Sequence, residues 1–199
     1  MSEHYYSRNP SVESNQQNFN YTLRGHSLRF TTDQGVFSKG DIDFGSRLLI
    51  DSIHLADVEG RILDVGCGYG PIGLTMAKEY PDRIVDMVDV NERALSLAEK
   101  NAQSNDITNV EIYYSNALQN VEQSSYAMII TNPPIRAGKK VVHEIFEEGF
   151  SRLVKGGELW IVIQKKQGAP SAIEKLKTLT EDVEIVMKSK GYFIIKARR

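Results

Sequence analysis

One cysteine, one tryptophan and six prolines in 199 residues mark this chain first by what it omits. With Cys67 alone, no internal disulfide forms, and a reducing, cytoplasmic setting is expected. No apolar run reaches the roughly 20 residues of a membrane-spanning helix. Met1-Ser2-Glu3-His4 opens no secretory signal. Positive charge is not in surplus: 24 Lys and Arg stand against 26 Asp and Glu, a formal charge of −2. That argues against a wholly basic nucleic-acid binder and leaves a local basic patch open. His4, His26, His54 and His143 show no metal-ligand spacing, so no metal is expected. No internal repeat or linker divides the chain. Its length suits one domain with a substantial core.

What is present is organised around Arg61-Ile62-Leu63-Asp64-Val65-Gly66-Cys67-Gly68-Tyr69-Gly70-Pro71-Ile72-Gly73. Ile62, Leu63 and Val65 are strand formers, and Leu74, Ala77 and Lys78 continue as helix to Tyr80-Pro81. The glycines between permit a sharp turn and a ligand approach unhindered by a Cβ. Such a unit sets helix N–H groups at the carboxyl edge of a sheet, where open α/β folds bind ligands. Gly68 to Gly73 also spells the dinucleotide pattern G-x-G-x-x-G. However, the strand ends earlier than that pattern requires. Asp64 at its end would repel a pyrophosphate and suits a cationic or hydroxyl-bearing ligand.

Along the chain, residues 1–19 read as a polar, flexible arm. Residues 20–57 form an extension: a small hairpin over 20–23 and 27–32 joined at Gly25-His26, then a helix from Asp43 to about Leu55. Residues 58–199 form the core. Strands are expected at 83–88, 110–114, 126–130 and 158–164, with helices at 92–105, 138–154 and 170–180. A closing hairpin spans 183–188 and 192–196. Alternating strands and helices, ending in two consecutive strands, predict a mainly parallel sheet with one antiparallel strand at its end.

A second chemical stretch, Asn132-Pro133-Pro134-Ile135, follows the strand at 126–130. The prolines fix φ and remove two N–H donors, holding Asn132 stiffly with carbonyls free. The Asn132 oxygen and the Pro133 carbonyl can accept both hydrogens of a planar amine. That frees the nitrogen lone pair for in-line attack, with positioning supplying most of the rate. Asp89, ending the 83–88 strand, is placed to hold two ribose hydroxyls.

Leu63-Asp64-Val65-Gly66-Cys67-Gly68-Tyr69-Gly70 resembles the first motif of class I S-adenosylmethionine-dependent methyltransferases. Asn-Pro-Pro resembles their amino-directed group, although Ile135 stands where an aromatic is usual. Together with Gly35-Val36-Phe37-Ser38-Lys39-Gly40-Asp41-Ile42-Asp43-Phe44-Gly45-Ser46, the chain is similar to the catalytic domain of small-subunit ribosomal RNA guanine-N2 methyltransferases. This likeness implies a Rossmann-like, seven-stranded α/β sheet with helices on both faces. S-adenosyl-L-methionine would be held by Asp64, Gly66, Cys67, Gly68, Gly70, Asp89, Val90, Asn116 and Ala117. Asn132, Pro133 and Pro134 would be catalytic. Phe37, Lys39, Ile135, Arg136 and Lys139 would meet the substrate, with Lys140, Lys165 and Lys166 as further basic candidates. The implied partner is ribosomal RNA or the small ribosomal subunit. Larger relatives carry a second, degenerate half that this sequence does not match.

Other readings stand beside this one. The glycines can be a plain turn, Asp89 a helix-start acid, and Phe37 core packing rather than a base platform. The lysine pairs can be solvated surface, and Cys67 reads as a small filler. A protein glutamine or a small amine can replace the nucleobase as acceptor. A non-catalytic cofactor-binding module is a further alternative, and an NAD-linked dehydrogenase ranks last.

Overall fold

The computed structural model describes residues 8–38 and 40–199. Arg24 and Gly25 take φ of 50° and 81°, the backbone of a two-residue hairpin turn. They join β1 (Gln17–Leu23) to β2 (His26–Thr32). The hairpin thus begins at Gln17 rather than Asn20, and it turns at Arg24-Gly25 rather than Gly25-His26. Gln17 to Phe19, grouped with the polar arm on composition, pair with Thr32 to Phe30, and Thr31 Oγ1 donates to Asn18 Oδ1 at 2.7 Å. Earlier residues are also tied down. Arg8 pairs with Glu92 at 2.8 Å, and Asn15 N donates to Asp33 Oδ1 at 2.6 Å. Polar composition hid this order because its partners lie far along the chain.

Asp43 caps α1 (Phe44–Ser52). The chain then alternates: β3 (Arg61–Val65), α2 (Pro71–Glu79), β4 (Val85–Asp89), α3 (Glu92–Ser104), β5 (Val110–Tyr114), β6 (Tyr126–Thr131), α4 (Lys139–Arg152), β7 (Leu153–Gln164), α5 (Ala169–Lys177), β8 (Val183–Ser189) and β9 (Tyr192–Arg198). The large sheet runs β5-β4-β3-β6-β7-β9-β8. All neighbours from β5 to β7 are parallel. Strand β9 is antiparallel to both β7 and β8. The single reversed strand therefore lies one place in from the edge. Lys190 and Gly191, at φ 47° and 80°, turn it back into the gap beside β7. Strand β7 starts at Leu153, before the expected 158, and absorbs a register shift opposite Tyr126 to Met128. Gly157 is required there, since a Cβ would lie 2.9 Å from the Tyr126 carbonyl oxygen.

Central strands carry apolar residues on both faces, as a doubly covered sheet demands. Ile62, Met87, Met128 and Ile130 pack under α1, α2, α3 and the hairpin. Leu63, Val65, Ile129 and Ile161 pack under α4 and α5. The hairpin is fastened by two asparagines, Asn101 in α3 and Asn105 at its C-cap. Asn101 and Asn105 each accept from and donate to the β2 backbone, at Thr31 and Arg29, over 2.7 to 2.9 Å. Each amide imitates a neighbouring strand and satisfies the edge of β2. Among the described residues no helix is long and apolar enough to cross a membrane. Strand order reverses between β3 and β6, which opens a crevice at their carboxyl ends.

Candidate active site

The turn after β3 is pinned to β4: Gly66 N and Cys67 N both donate to the Val88 carbonyl, at 2.8 and 2.9 Å. Gly66 and Gly68 have φ of 77° and 58°, and a Cβ on either would meet nothing within 4 Å. Left-handed backbone bordering open space makes a ligand cradle. Gly70 differs. It is the residue before α2, and a Cβ there would strike Leu74 at 2.8 Å. Its role is packing, as is that of Gly73, whose Cβ would meet Met87 at 2.7 Å.

The cradle opens into a cavity of about 900 Å³, counting space open to solvent. Gly66, Cys67, Gly68, Asp89, Val90 and Ala117 line one side, and Asn132, Pro133, Pro134 and Phe37 the other. Asp64, Gly70, Asn116, Ile135, Arg136 and Lys139, also expected at the site, do not line it. Lys39 lies outside the described residues. Asn116 Nδ2 donates to Gln119 Oε1 at 3.2 Å. Ile135 and Arg136 enter a short 3-10 turn leading away from the crevice, and Ile135 packs on the core beneath α4.

Asp64 lies behind the turn, wholly buried. Its Oδ2 accepts from Gly73 N at 2.8 Å, and its Oδ1 has no partner. Burial pushes its carboxyl up to about 7 against the Gly73 N–H, and the charge of Asp89 adds to the rise. Asp89 Oδ2 accepts from Gly68 N and Oδ1 from Asn91 N, both at 2.8 Å. Burial raises its pKa, outweighing those donors. Burial also pushes the Cys67 thiol well above its ordinary value, with Asp89 and Asp64 adding to the effect. Cys67 is therefore an uncharged wall, not a thiolate.

On the facing side, Thr131 Oγ1 donates to the Val65 carbonyl at 2.9 Å, locking the ends of β6 and β3 together. Asn132 Nδ2 donates to Ser46 Oγ at 3.1 Å. Ser46 is buried, and its own N–H is held by the Asp43 carboxylate at 3.0 Å. With its nitrogen engaged, Asn132 keeps Oδ1 as its acceptor. The Pro134 carbonyl is taken by Ala137 N at 2.9 Å; no described residue donates to that of Pro133.

Phe37 is 42% exposed at the cavity mouth rather than core packing. Its loop is anchored by Asn91 Nδ2 to the Gly35 carbonyl and Arg93 Nη1 to the Gln34 carbonyl, both at 2.8 Å. Tyr69 Oη donates to the Asp41 carbonyl at 3.1 Å, while its ring meets Phe19 and Phe30 edge-on. Composition and spacing assigned no role to Ser46, Tyr69, Asn91 or Ser115, all of which border the cavity. The only available signal was that each lies in or beside a quoted motif.

Residues 27–196 match the family model described as "Methyltransferase small domain". "Uncharacterized protein YbxB" of Bacillus subtilis is 61% identical over 200 residues, covering 100% of both chains. "Ribosomal RNA small subunit methyltransferase C" of Vibrio cholerae is 31% identical over 156 residues, which is 76% of this chain and 45% of the relative. The chain thus spans under half the length of that relative. In fold it resembles the Thermus thermophilus "16S rRNA N2 G1207 methyltransferase (RsmC) in complex with AdoMet and Guanosine". The TM-score is 0.83 at 22% identity, covering 96% of this chain and 52% of that one.

Proposed function

The chain belongs to the methyltransferase small domain family, and from that premise we propose that it methylates the exocyclic N2 amine of a guanine in small-subunit ribosomal RNA. The observation carrying this reading is the placement of Asn132-Pro133-Pro134 across one cavity from the glycine cradle. Relatives named for ribosomal RNA methylation supply the substrate class.

The donor is S-adenosyl-L-methionine, and three features of the chain fit it. Gly66 and Gly68 leave room against the backbone. Asp89 accepts backbone N–H bonds from Gly68 and Asn91, one at each oxygen, with Val90 N–H also acting on it, and a carboxylate's four lone-pair sites leave room for a ribose hydroxyl. Asp89, half-buried in the cavity wall, and Asp64, buried behind the same turn, favour a cationic ligand and disfavour a phosphate. Val90 and Ala117 give apolar walls for the adenine. When bound, this donor supplies an electrophilic methyl group on a sulfonium.

Asn132 Oδ1 and the Pro133 carbonyl accept the two hydrogens of the incoming amine. They draw the nitrogen lone pair out of conjugation and hold it in line. Ser46 keeps the Asn132 amide from turning, and the two prolines keep its backbone from moving. No side-chain base is required, because the methylated nitrogen is acidic and releases its extra proton to water. Phe37 at the mouth offers a face for the target base, the stacking surface that Ile135 does not provide.

The test is transfer of labelled methyl groups to ribosomal RNA and small subunits from a strain lacking this gene, followed by nucleoside analysis. N2-methylguanosine is the expected product. Label in protein, in a small amine or at another base position would refute the reading. Asn132→Ala keeps donor affinity while the transfer rate falls about a hundredfold or more. An unchanged rate would remove Asn132 from the mechanism.

A further inference from the structure

Beyond the wall made by Pro134, Ile135 and α4 lies a second cavity, of about 690 Å³ counting space open to solvent. Its apolar members are Ile135, Val142, Ile163 and Ala172, and its polar ones include Lys139, His143, Lys166 and Ser171. Among the described residues no carboxylate lines it. The acids nearby are engaged elsewhere: Glu144 pairs with Lys140 at 3.8 Å and Glu147 with Lys175. Lys139 and Lys166 have no ion-pair partner among the described residues. His143 Nε2 lies 3.3 Å from Ser171 Oγ, and its ring stacks on Phe146 with centroids 6.1 Å apart. Burial, then Lys139 and Lys175, lower the His143 pKa against the pull of Glu147. The ring therefore acts at neutral pH as a hydrogen-bonding group rather than a charge.

Two uncompensated ammonium groups, a hydroxyl and an imidazole around an acid-free cavity suit a compact anion with several acceptor oxygens. The two cavities share one wall. Pro134 lines the first cavity and Ile135 the second, so the chain passes from one to the other within one residue of the Asn-Pro-Pro turn. The single-strand backbone is regular in charge and irregular in base, so a phosphate is the group that can be met there at every sequence. Of the basic residues named from sequence, Lys139 and Lys166 alone among the described residues border this cavity, and His143 joins them unannounced by any motif.

We propose that this second cavity takes a backbone phosphate of the RNA strand beside the target nucleotide. Lys139 and Lys166 supply the charge, while Ser171 and His143 supply hydrogen bonds. The inference rests on RNA being the substrate. Its test reads binding, so that it stands or falls separately from the amine chemistry.

A fluorescently labelled single-stranded RNA is titrated across a salt series against the wild type and the double variant Lys139→Ala/Lys166→Ala. Affinity for S-adenosylmethionine is measured alongside. RNA affinity should drop at least tenfold at low salt, with donor affinity unchanged. The slope of log K against log salt should shrink by about 0.7, the contribution of one single-strand phosphate no longer neutralised. Lys155→Ala/Lys177→Ala, removing equal charge from exposed positions elsewhere, should leave the slope alone. Equal losses in both double variants would reduce the cavity to general surface charge and overturn the proposal. So would an unchanged slope in the first variant. If the alanine pair does not fold, Lys139→Gln/Lys166→Gln carries the same expectation. If the wild type binds RNA with this slope yet transfers no methyl to it, the amine reading fails and the phosphate site stands.

Discussion

Two ends of one sheet each bury a carboxylate, and they treat it in opposite ways. At the amino-terminal end, Asp86 is fully buried with both oxygens engaged. Arg61 Nη1 donates at 2.9 Å to one, and the Tyr126 hydroxyl makes a very short contact with the other. Arg61 also reaches Glu111 at 2.8 Å, which raises its own pKa further. At the carboxyl-terminal end, Asp64 is equally buried, yet one oxygen has no partner. A buried polar atom without a partner costs free energy. The far end resolves that cost internally and serves only to hold the strands. The ligand end leaves it unresolved, directly behind the glycine turn that borders the cavity. Buried charge alone thus does not mark function in this fold; incomplete satisfaction behind the cavity-bordering turn does.

Breaking the satisfied end should have the largest effect on folding. Asp86→Ala takes its carboxylate from the Tyr126 hydroxyl, leaves Arg61 with Glu111 alone, and should cost about 3 kcal/mol. That corresponds to a fall in Tm of roughly 6–12 °C for a chain of this size. Donor affinity measured below the transition should be retained. If Asp86→Ala instead left Tm in place and abolished donor binding, the division between the two ends would be wrong.

Asp64→Asn sharpens the contrast through pH. An acid whose folded-state pKa is raised favours folding in its protonated form. The stability Asp64 contributes is complete below its ordinary 3.8 and is lost as pH rises through about 7. In the donor-free protein, Tm should therefore fall less between pH 4 and pH 8 in Asp64→Asn than in the wild type. Parallel pH curves for the two proteins would show that Asp64 is not held protonated by its burial.

The smallest effect is expected at Ser46. Ser46→Ala removes one hydrogen bond to the Asn132 amide, worth about 1 kcal/mol, or roughly a fivefold drop in kcat. KM for RNA and Tm should hardly move, and Ser46→Thr should recover part of the rate. A loss in KM with kcat intact would place Ser46 in substrate binding instead of in orienting Asn132.

Much of the fold was legible because its signals are local. Apolar runs near Ile62, Val85 and Ile129 marked the buried strands, and the glycine and double-proline stretches marked the two loops at their ends. The polar stretch at Gln17 to Phe19 misled, because a hairpin strand with one solvent-facing side differs little in composition from a mobile arm. Gly70 and Asp64 were placed at the ligand by their nearness to Gly66 and Gly68. Neighbours along the chain here point to opposite sides of one turn. Gly70 meets Leu74, and Asp64 meets Gly73. Ile135 and Lys139 were read with Asn132 as one surface, but the short turn after Pro134 carries them around a corner to the second cavity.

From the order of its residues alone, this protein was committed to a cradle of glycines, a rigid Asn-Pro-Pro and the alternating strands and helices that bring them to one edge. Those features follow from φ limits and from the periodicity of apolar side chains, which act within a few residues. Only the tertiary structure decided that Ser46 would steady Asn132, 86 positions away. It likewise decided that Asp86 would be satisfied and Asp64 left wanting. Such outcomes depend on which distant segments burial presses together, and no local preference of the chain encodes that.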